Sequence, residues 1–254
     1  RAALLSEQGA TNGFSFGPCI SDNGQFIAYE AAPASASSAL LLRYSLATGT
    51  TQLIHTNAAI YVGDYPRVQN MAQTPDGRFL AFAAYTSEVT SYITSILVWD
   101  ADTGKLELAS GDLANQVPED SICDSPAIDA SGRYVTFLSD ALTLVTNEVN
   151  GEFHLYLRDR QTGTTTLIDA DADGLAVIGG VPTAPPLSAD ASMIAFECLD
   201  SSLIANDSND AYDQFVYAPN PDQVHNRNMF NSDRVRARLG EPKRHAYGSK
   251  PMEQ

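Results

Sequence analysis

The sequence has few basic residues and no long apolar run. Its 254 residues hold 15 Lys and Arg against 31 Asp and Glu, a formal net charge of −16. Nucleic-acid binders neutralise phosphates with clustered Lys and Arg, so this composition argues against a nucleic-acid partner. No apolar stretch approaches the ~20 residues of a membrane-spanning helix, so we expect no membrane insertion.

Cysteine is scarce as well. Cys19, Cys123 and Cys198 lack the short spacings of a zinc site or a disulfide framework. We expect small buried thiols, with one disulfide and a leftover thiol as the alternative. The four histidines form no H-E-x-x-H or H-x-H group. A Ser/His/Asp set stays open, because such partners meet in space and not in sequence.

What the sequence does contain is a repeat. The phrase "TPDGRFLAF" (74–82) returns as "SDNGQFIAY" (21–29), "DASGRYVTF" (129–137) and "SADASMIAF" (188–196). Successive copies start 53, 55 and 59 residues apart, a period typical of stacked or radially arranged units. The fourth copy has Ala-Ser where the turn glycine belongs, so its turn is the least securely predicted.

A second phrase keeps step with the first. It reads "RYSLATGTTQLI" from Arg43, "VWDADTGKLELA" from Val98 and "LRDRQTGTTTLI" from Leu157, and the fourth unit supplies only "VYAPN" from Val216. A glycine takes positive φ at little steric cost, as a two-residue hairpin turn requires, and β-prone residues follow each turn. Two hairpins per unit predict a four-stranded antiparallel sheet.

Helix is nearly absent from the prediction, because no segment sustains a 3.6-residue period and turn residues punctuate the chain. For the second unit we predict strands near 67–73, 78–84, 94–100 and 105–110. Four-stranded sheets repeated at this period indicate the blades of a β-propeller, whose faces are buried against neighbouring blades.

The two phrases resemble the WD40-like (PD40) repeat of TolB-type propellers, over roughly residues 1–220. The resemblance implies an all-β propeller, or propeller segment, of about four four-stranded antiparallel blades. In that family the fold serves periplasmic and secreted scaffolds, domains attached to peptidases, and some polysaccharide-acting enzymes. A periplasmic or extracellular location is therefore implied for this chain too.

The repeat also predicts boundaries. They are an outer strand at 1–12, blade 1 at 13–66, blade 2 at 67–122, blade 3 at 123–181, blade 4 at 182–220 and a polar tail at 221–254. An open arc or a fragment of a longer propeller is favoured. In the alternative, the N-terminal strand completes the last blade and closes a four-blade ring. The tail holds 7 Lys and Arg against 4 Asp and Glu. It is predicted to be disordered or non-native, or else a basic arm on an acidic surface.

A candidate nucleophile occurs in "GFSFG", residues 13–17, which matches G-x-S-x-G. That elbow needs a strand before the serine and a helix after it. Here an incoming strand follows, so we interpret the match as coincidental and place Ser15 in an inter-blade loop.

A candidate calcium site occurs in "DADADG", which offers Asp169, Asp171 and Asp173 at the spacing of a D-x-D-x-D-G loop. The loop should close with Glu at its twelfth place, which here is Gly180. A second acidic link offers Asp207, Asp210 and Asp213. The alternative for both is an acidic turn in which Asp and Asn cap the backbone. No other cofactor is predicted.

Together these observations predict a non-catalytic scaffold that binds a protein or carbohydrate ligand through loops at the blade ends. Enzymatic activity stays open, although a non-catalytic role is favoured. The alternatives are a polysaccharide lyase or hydrolase, with carboxylates gathered at the central channel, and the propeller of a larger peptidase. Trp99 is interpreted as a packing residue of a third strand, with carbohydrate stacking as the lesser alternative.

Overall fold

The computed structural model describes residues 13–33, 36–59, 70–86, 93–119, 121–181, 184–204 and 211–219. Within these ranges all regular secondary structure is β-strand, and no helix there could cross a membrane. The strands are β1 (Gly13–Ile20), β2 (Phe26–Pro33), β3 (Ala39–Ser45), β4 (Thr50–Ala58), β5 (Met71–Gln73), β6 (Phe79–Tyr85), β7 (Thr94–Asp100), β8 (Leu106–Leu108), β9 (Cys123–Ile128), β10 (Tyr134–Ser139), β11 (His154–Asp159), β12 (Thr164–Leu167), β13 (Ile194–Cys198) and β14 (Asp213–Tyr217).

The strands form antiparallel sheets in sequence order, one per repeat. Strands β1 to β4, β5 to β8 and β9 to β12 make three four-stranded units, and β13 pairs with β14. The first two units are joined by a single strand pair, Ala58 with Ala84. An isolated bridge between Leu187 and Ile194 extends the last sheet. The predicted all-β propeller fold is confirmed, as are the strand positions of the second unit.

The predicted blade boundaries stay predictions. The N-terminal outer strand at 1–12 and the tail at 221–254 lie outside the described residues.

Apolar side chains fill the spaces between successive sheets. In β6, Leu80 and Phe82 belong to the core shared with the first unit, whereas Ala81 and Ala83 belong to the core shared with the third. Neighbouring residues of a strand point to opposite faces, so one apolar run can be buried on both sides. Burying a Leu or Phe side chain stabilises the fold by about 1.5–3 kcal/mol. The sheets therefore depend on their neighbours for burial.

The first turn of each unit is longer than predicted. Gly77 N donates to Thr74 O, and Thr74 N donates to Phe79 O, so four residues, 75–78, and not two, lie between the last bonded pair, Thr74 and Phe79. The side-chain oxygen of Thr74 also accepts from Phe79 N at 3.0 Å. Ser21, Asp129 and Ser188 make the same bond in the other units.

The fourth turn forms without glycine. Ala191 takes the turn position with a φ of 52°, and its N–H donates to Ser188 O. The Ser188 hydroxyl cap therefore holds this turn in a conformation that costs an alanine about 1–2 kcal/mol.

An aromatic ring of one unit covers the turn glycine of the next. Gly77 has a φ of +72°, and a Cβ built on it would lie 2.5 Å from the Phe26 ring. The Arg43 guanidinium lies 3.5 Å from the centre of that ring and donates to Gly77 O at 2.8 Å. Cation–π attraction and the hydrogen bond together fix the ring over the turn.

The same arrangement joins the second and third units. Phe79 covers Gly132, and the Arg160 guanidinium lies 5.0 Å from the centre of the Phe79 ring. Arg160 also donates to Gly132 O and to Glu107. Successive sheets are thus joined at the end that carries the hairpin turns.

Candidate binding surface at the loop end

The two ends of the sheets differ in construction. In each unit, the turns that connect the first strand to the second and the third strand to the fourth lie at one end of the sheet, which we call the turn end. Since the strands are antiparallel, the links between second and third strands and between successive units lie at the other. We call this the loop end and define it as residues 110–119, 140–153, 169–181 and 199–204.

The four loops of the loop end are tied to one another. Hydrogen bonds between them run from Leu113 N to Thr143 O (3.1 Å), from Asn147 Nδ2 to Gly174 O (2.8 Å) and from Ile178 N to Asp200 Oδ2 (2.6 Å). Backbone groups that bond across loops are no longer free to reorganise independently. The loop end is therefore one continuous surface built from three units.

The proposed calcium loop contains a capped turn. Asp171 Oδ1 accepts from the backbone N–H groups of Asp173 and Leu175, both at 2.9 Å. Gly174 takes a φ of 82° within that turn. A carboxylate that bonds its own backbone two residues on forms an Asx turn.

The preceding unit repeats that turn without the acidic motif. Asp112 Oδ1 accepts from the N–H groups of Ala114 and Gln116, both at 2.8 Å, and Asn115 has a φ of 57°. The equivalent stretch, "DLANQ", lacks alternating carboxylates. The turn thus explains why an aspartate stands at position 171 and why the residue three places after it has a positive φ.

Asp169 is directed inward and not into that turn. It is completely buried, its Oδ1 accepts from Leu155 N at 3.0 Å, and its Oδ2 lies 2.8 Å from His154 Nδ1. The other ring nitrogen, Nε2, lies 2.7 Å from Asn150 Oδ1. Ser110 occupies the same place in the preceding unit and accepts from Ile96 N.

The partners of His154 hold its ring in place. The Asn150 amide donates through Nδ2 to Val177 O at 3.2 Å, and its Oδ1 accepts from Glu152 N at 3.0 Å. Both ring nitrogens are thus hydrogen-bonded, one with Asp169 and the other with Asn150. The His154–Asp169 pair connects the strands to the loops at Asn150 and Val177.

The other predicted metal ligands are spread out. Asp173 is exposed, and Asp213 begins β14, where it pairs with Cys198. Asp207 and Asp210 lie outside the described residues. No group of three or more His, Cys, Asp or Glu suited to a metal occurs in the part of the chain that the structure describes. The calcium site stays a prediction.

The placement predicted for Ser15 is wrong. Ser15 lies within β1, paired with Ala31 of β2, and not in a loop. The strand continues past it through an irregularity between Phe16 and Cys19. Pro18 and a positive φ at Gly17 cause this local bend, so no nucleophile elbow forms.

The three thiols are unpaired. Cys123 and Cys198 are buried, as predicted, whereas Cys19 is half-buried. Burial raises the pKa of the Cys123 thiol to about 12. Trp99 is 3% exposed and packs in the core between the first two units, which confirms its interpretation as a packing residue.

Two carboxyl groups, one in β2 and one in β9, are buried without full hydrogen bonding. Glu30 is 1% exposed, and within the described residues neither of its oxygens has a hydrogen-bond partner of normal geometry. Burial raises its pKa to about 8, while the Asn70 side chain opposes the shift. Asp124 begins the third unit, and burial raises its pKa to about 6. Sequence reasoning missed both, because neither belongs to a motif.

Charge is divided between the two ends. All six Lys and Arg of the described ranges lie in the hairpin turns or the adjoining strand halves: Arg43, Arg78, Lys105, Arg133, Arg158 and Arg160. The loop end has none, but carries nine carboxyl groups: Asp112, Glu119, Asp140, Glu148, Glu152, Asp169, Asp171, Asp173 and Asp200. The net charge of the whole sequence does not reveal this division.

Large aliphatic side chains also project from the loop end. Ile178 is 74% exposed, Leu113 66%, Leu142 60% and Ile204 56%. Each comes from a different one of the four hydrogen-bonded loops, and exposed apolar groups on a folded domain are typical of interaction sites. The surface thus combines exposed aliphatic groups with carboxylates of a single sign.

Comparisons with known proteins show only which solved structures this chain is similar to. No protein-family model and no curated protein matches the sequence. Among solved structures, TolB from Acinetobacter baumannii is 18% identical with a TM-score of 0.47, and the match covers 80% of this chain and 41% of that one. The fold resembles that of TolB-type propellers, as the repeat predicts.

Two further solved structures are peptidases or their domains. A prolyl endopeptidase is 13% identical, with a TM-score of 0.45 and coverage of 82% of this chain and 29% of its own. The propeller domain of the Trilobed protease from Pyrococcus furiosus is 14% identical, with a TM-score of 0.37 and coverage of 81% and 67%. The chain thus spans less than half of the TolB and endopeptidase chains. With scores this low, the propeller assignment rests on the sheets themselves.

Proposed function

We propose that this propeller is a non-catalytic scaffold that binds a macromolecular ligand, a protein or a carbohydrate, through its loop end. The observation that carries the proposal is the exposure of aliphatic side chains on loops bonded into one surface. Leu142 and Ile178, which belong to different loops, are 60% and 74% exposed. A rigid framework that presents adaptable loops is the usual construction of a recognition site.

The buried polar groups of this end support a structural role. The His154 ring is 1% exposed, and both of its nitrogens are engaged by Asp169 and Asn150. A general base must reach the proton that it removes. His154 instead anchors the loops from within.

The proposal is tested by ligand capture with matched variants. The immobilised chain is exposed to periplasmic and secreted material from its source organism, and bound proteins and glycans are identified. The loop-end variant Leu142→Ser with Ile178→Ser should lose the captured ligand. The turn-end control, Leu46→Ser with Leu106→Ser, removes aliphatic groups of comparable exposure and should retain it. Equal capture by both variants would refute the proposal.

The location proposed is the periplasm or the cell exterior, which the resemblance to TolB-type propellers implies. Fractionation of cells that express the native gene, with an antibody to this chain, tests it. Recovery in the cytoplasmic fraction would contradict it.

Glu30 and Asp124 favour one alternative, a polysaccharide lyase or hydrolase. Each is a buried carboxyl group with a raised pKa, the property of a general acid. A panel of acidic and neutral polysaccharides would be assayed with the wild type, Glu30→Gln and Asp124→Asn. Turnover abolished by either change would establish the enzyme and exclude the non-catalytic scaffold.

A further inference from the structure

We propose that the ligand of the loop end is a basic amphipathic protein segment, in which Lys or Arg residues accompany aliphatic ones. This inference rests on the proposed function and narrows it from a macromolecule to one class of partner. It depends on the charge division between the two ends and on the chemical type of the exposed groups.

The charge of the loop end is not neutralised locally. Several turn-end carboxylates are paired with arginines, among them Asp100 with Arg78 and Asp159 with Arg133, at 3.1 and 2.6 Å. No Lys or Arg of the described ranges lies in the four loops. The Arg158 guanidinium reaches them from β11 and donates to Asn115 Oδ1 at 2.8 Å, but within the described residues no Lys or Arg forms an ion pair with a loop-end carboxylate. Since carboxylates concentrated on one surface make its electrostatic potential negative, a positively charged ligand is favoured.

Several loop-end carboxylates are free to meet such a ligand. Asp112 and Asp171 are committed to their turns, and Asp169 to His154. The side chains that are exposed and make no hydrogen bond or ion pair within the described part of the chain are Glu119, Glu148 and Asp173. They come from three different loops of the loop end.

The apolar groups favour protein over carbohydrate. Sugars stack on exposed aromatic rings, but most of the large exposed groups at this end are aliphatic: Leu113, Val117, Leu142, Leu175, Ile178, Leu199 and Ile204. The exposed aromatic residue of the described part of this end is Tyr212, just before β14, which is 54% exposed. Aliphatic side chains bury best against other aliphatic ones. A segment that combines aliphatic groups with positive charges satisfies both parts of the surface.

The test measures binding of a short synthetic peptide of Lys, Leu and Ser to the full chain by titration calorimetry. Two control peptides replace its Leu by Ser or its Lys by Glu. The Lys and Leu peptide should bind at least about 10-fold more tightly than either control, and its affinity should fall with added salt. Binding that is independent of Leu would indicate charge attraction alone and overturn the proposal.

Matched variants localise the binding. The loop-end triple variant Glu119→Gln, Glu148→Gln and Asp173→Asn should weaken the peptide by about 10-fold or more. A turn-end control with the same charge change, Asp22→Asn, Asp102→Asn and Glu107→Gln, should weaken it by less than about 2-fold, because salt screens distant charges. Equal losses in both variants would refute a loop-end site. Near-ultraviolet circular dichroism verifies that each variant is folded.

The outcomes separate this inference from the proposed function. One outcome is that the Leu142→Ser and Ile178→Ser double variant loses the captured natural ligand while neither the wild type nor any variant binds the peptide. In that case the scaffold role stands and the proposed partner class is wrong. A synthetic peptide of residues 221–254 is titrated in parallel. If only that peptide binds, the loop end accepts this chain's own basic tail, and the separate partner is overturned.

Discussion

Phe79 of the second sheet covers Gly132 of the third so closely that a Cβ on the glycine would lie 2.1 Å from the ring. Gly132 has a φ of +73°, so side chains are disfavoured there for two independent reasons. Gly24, at the same place in the first unit, has a φ of +67°, and a Cβ added to it would meet nothing within 4 Å. An alanine at Gly24 would therefore have only an unfavourable backbone conformation, whereas an alanine at Gly132 would also collide with the Phe79 ring.

Gly132→Ala should destabilise the fold more than Gly24→Ala does. Both changes cost about 1–2 kcal/mol for the left-handed backbone. Only Gly132→Ala also displaces a packed aromatic ring, which adds about 1–3 kcal/mol. Denaturant unfolding of both variants measures the difference, and equal losses would show that the Phe79 ring yields without cost.

Glu30→Gln should stabilise the protein, and increasingly so at higher pH. Burial raises the folded-state pKa of Glu30 from 4.5 to about 8. Its protonated form therefore favours folding fully below about pH 4.5, and that contribution is lost as the pH rises through about 8. The neutral amide avoids this loss, and we expect a gain on the order of 1–3 kcal/mol at pH 8 to 9.

The control for Glu30 lies at the equivalent place in β13. Glu197 is half-buried and accepts a hydrogen bond from Gln214 at 3.2 Å. Thermal melts between pH 5 and pH 9 should show a pH-dependent difference for Glu30→Gln and a smaller one for Glu197→Gln. Parallel curves for wild type and Glu30→Gln would mean that Glu30 has no raised pKa.

His154→Ala should destabilise the protein by about 1–3 kcal/mol, because it leaves the completely buried Asp169 side chain without its hydrogen-bond partner at Oδ2. Asp169→Asn should cost a similar amount. The double variant should recover part of the loss, with a coupling of about 1–3 kcal/mol in a double-mutant cycle. Strict additivity would show that the two side chains do not stabilise each other.

Thiol reactivity should report the different burial of the cysteines. Cys19 is half-buried, whereas Cys123 and Cys198 are buried, and burial raises the pKa of all three thiols. An aromatic disulfide reagent should modify Cys19 first and the other two only as the fold opens. Cys19→Ser should remove the early phase, and three rapid reactions in the native protein would contradict this burial.

The fold was accessible from the sequence because its signals are local. Turn residues and β-prone runs such as Arg78 to Phe82 act over a few neighbours, and their repetition in register reveals the sheets. The turn length was wrong, because the side-chain oxygen of Thr74 bonds Phe79 N and favours a longer turn than glycine alone implies.

The loop end was less accessible because it depends on contacts between distant residues. His154 and Asp169 are fifteen positions apart and belong to no motif, so their pairing follows only from the hairpin. The acidic "DADADG" phrase suggested an ion, but the repeated turn at Asp112 gives Asp171 a structural role that the spacing of its carboxylates hid. One signal was readable, namely the lack of Lys and Arg in four separate stretches.

The ring-over-glycine contacts also set how this architecture can change. They use residues of the short turns and of the adjoining strand ends, so insertions or substitutions at the opposite end leave the joints between sheets intact. Descendants of such a chain can replace one recognition specificity by another while keeping the same skeleton.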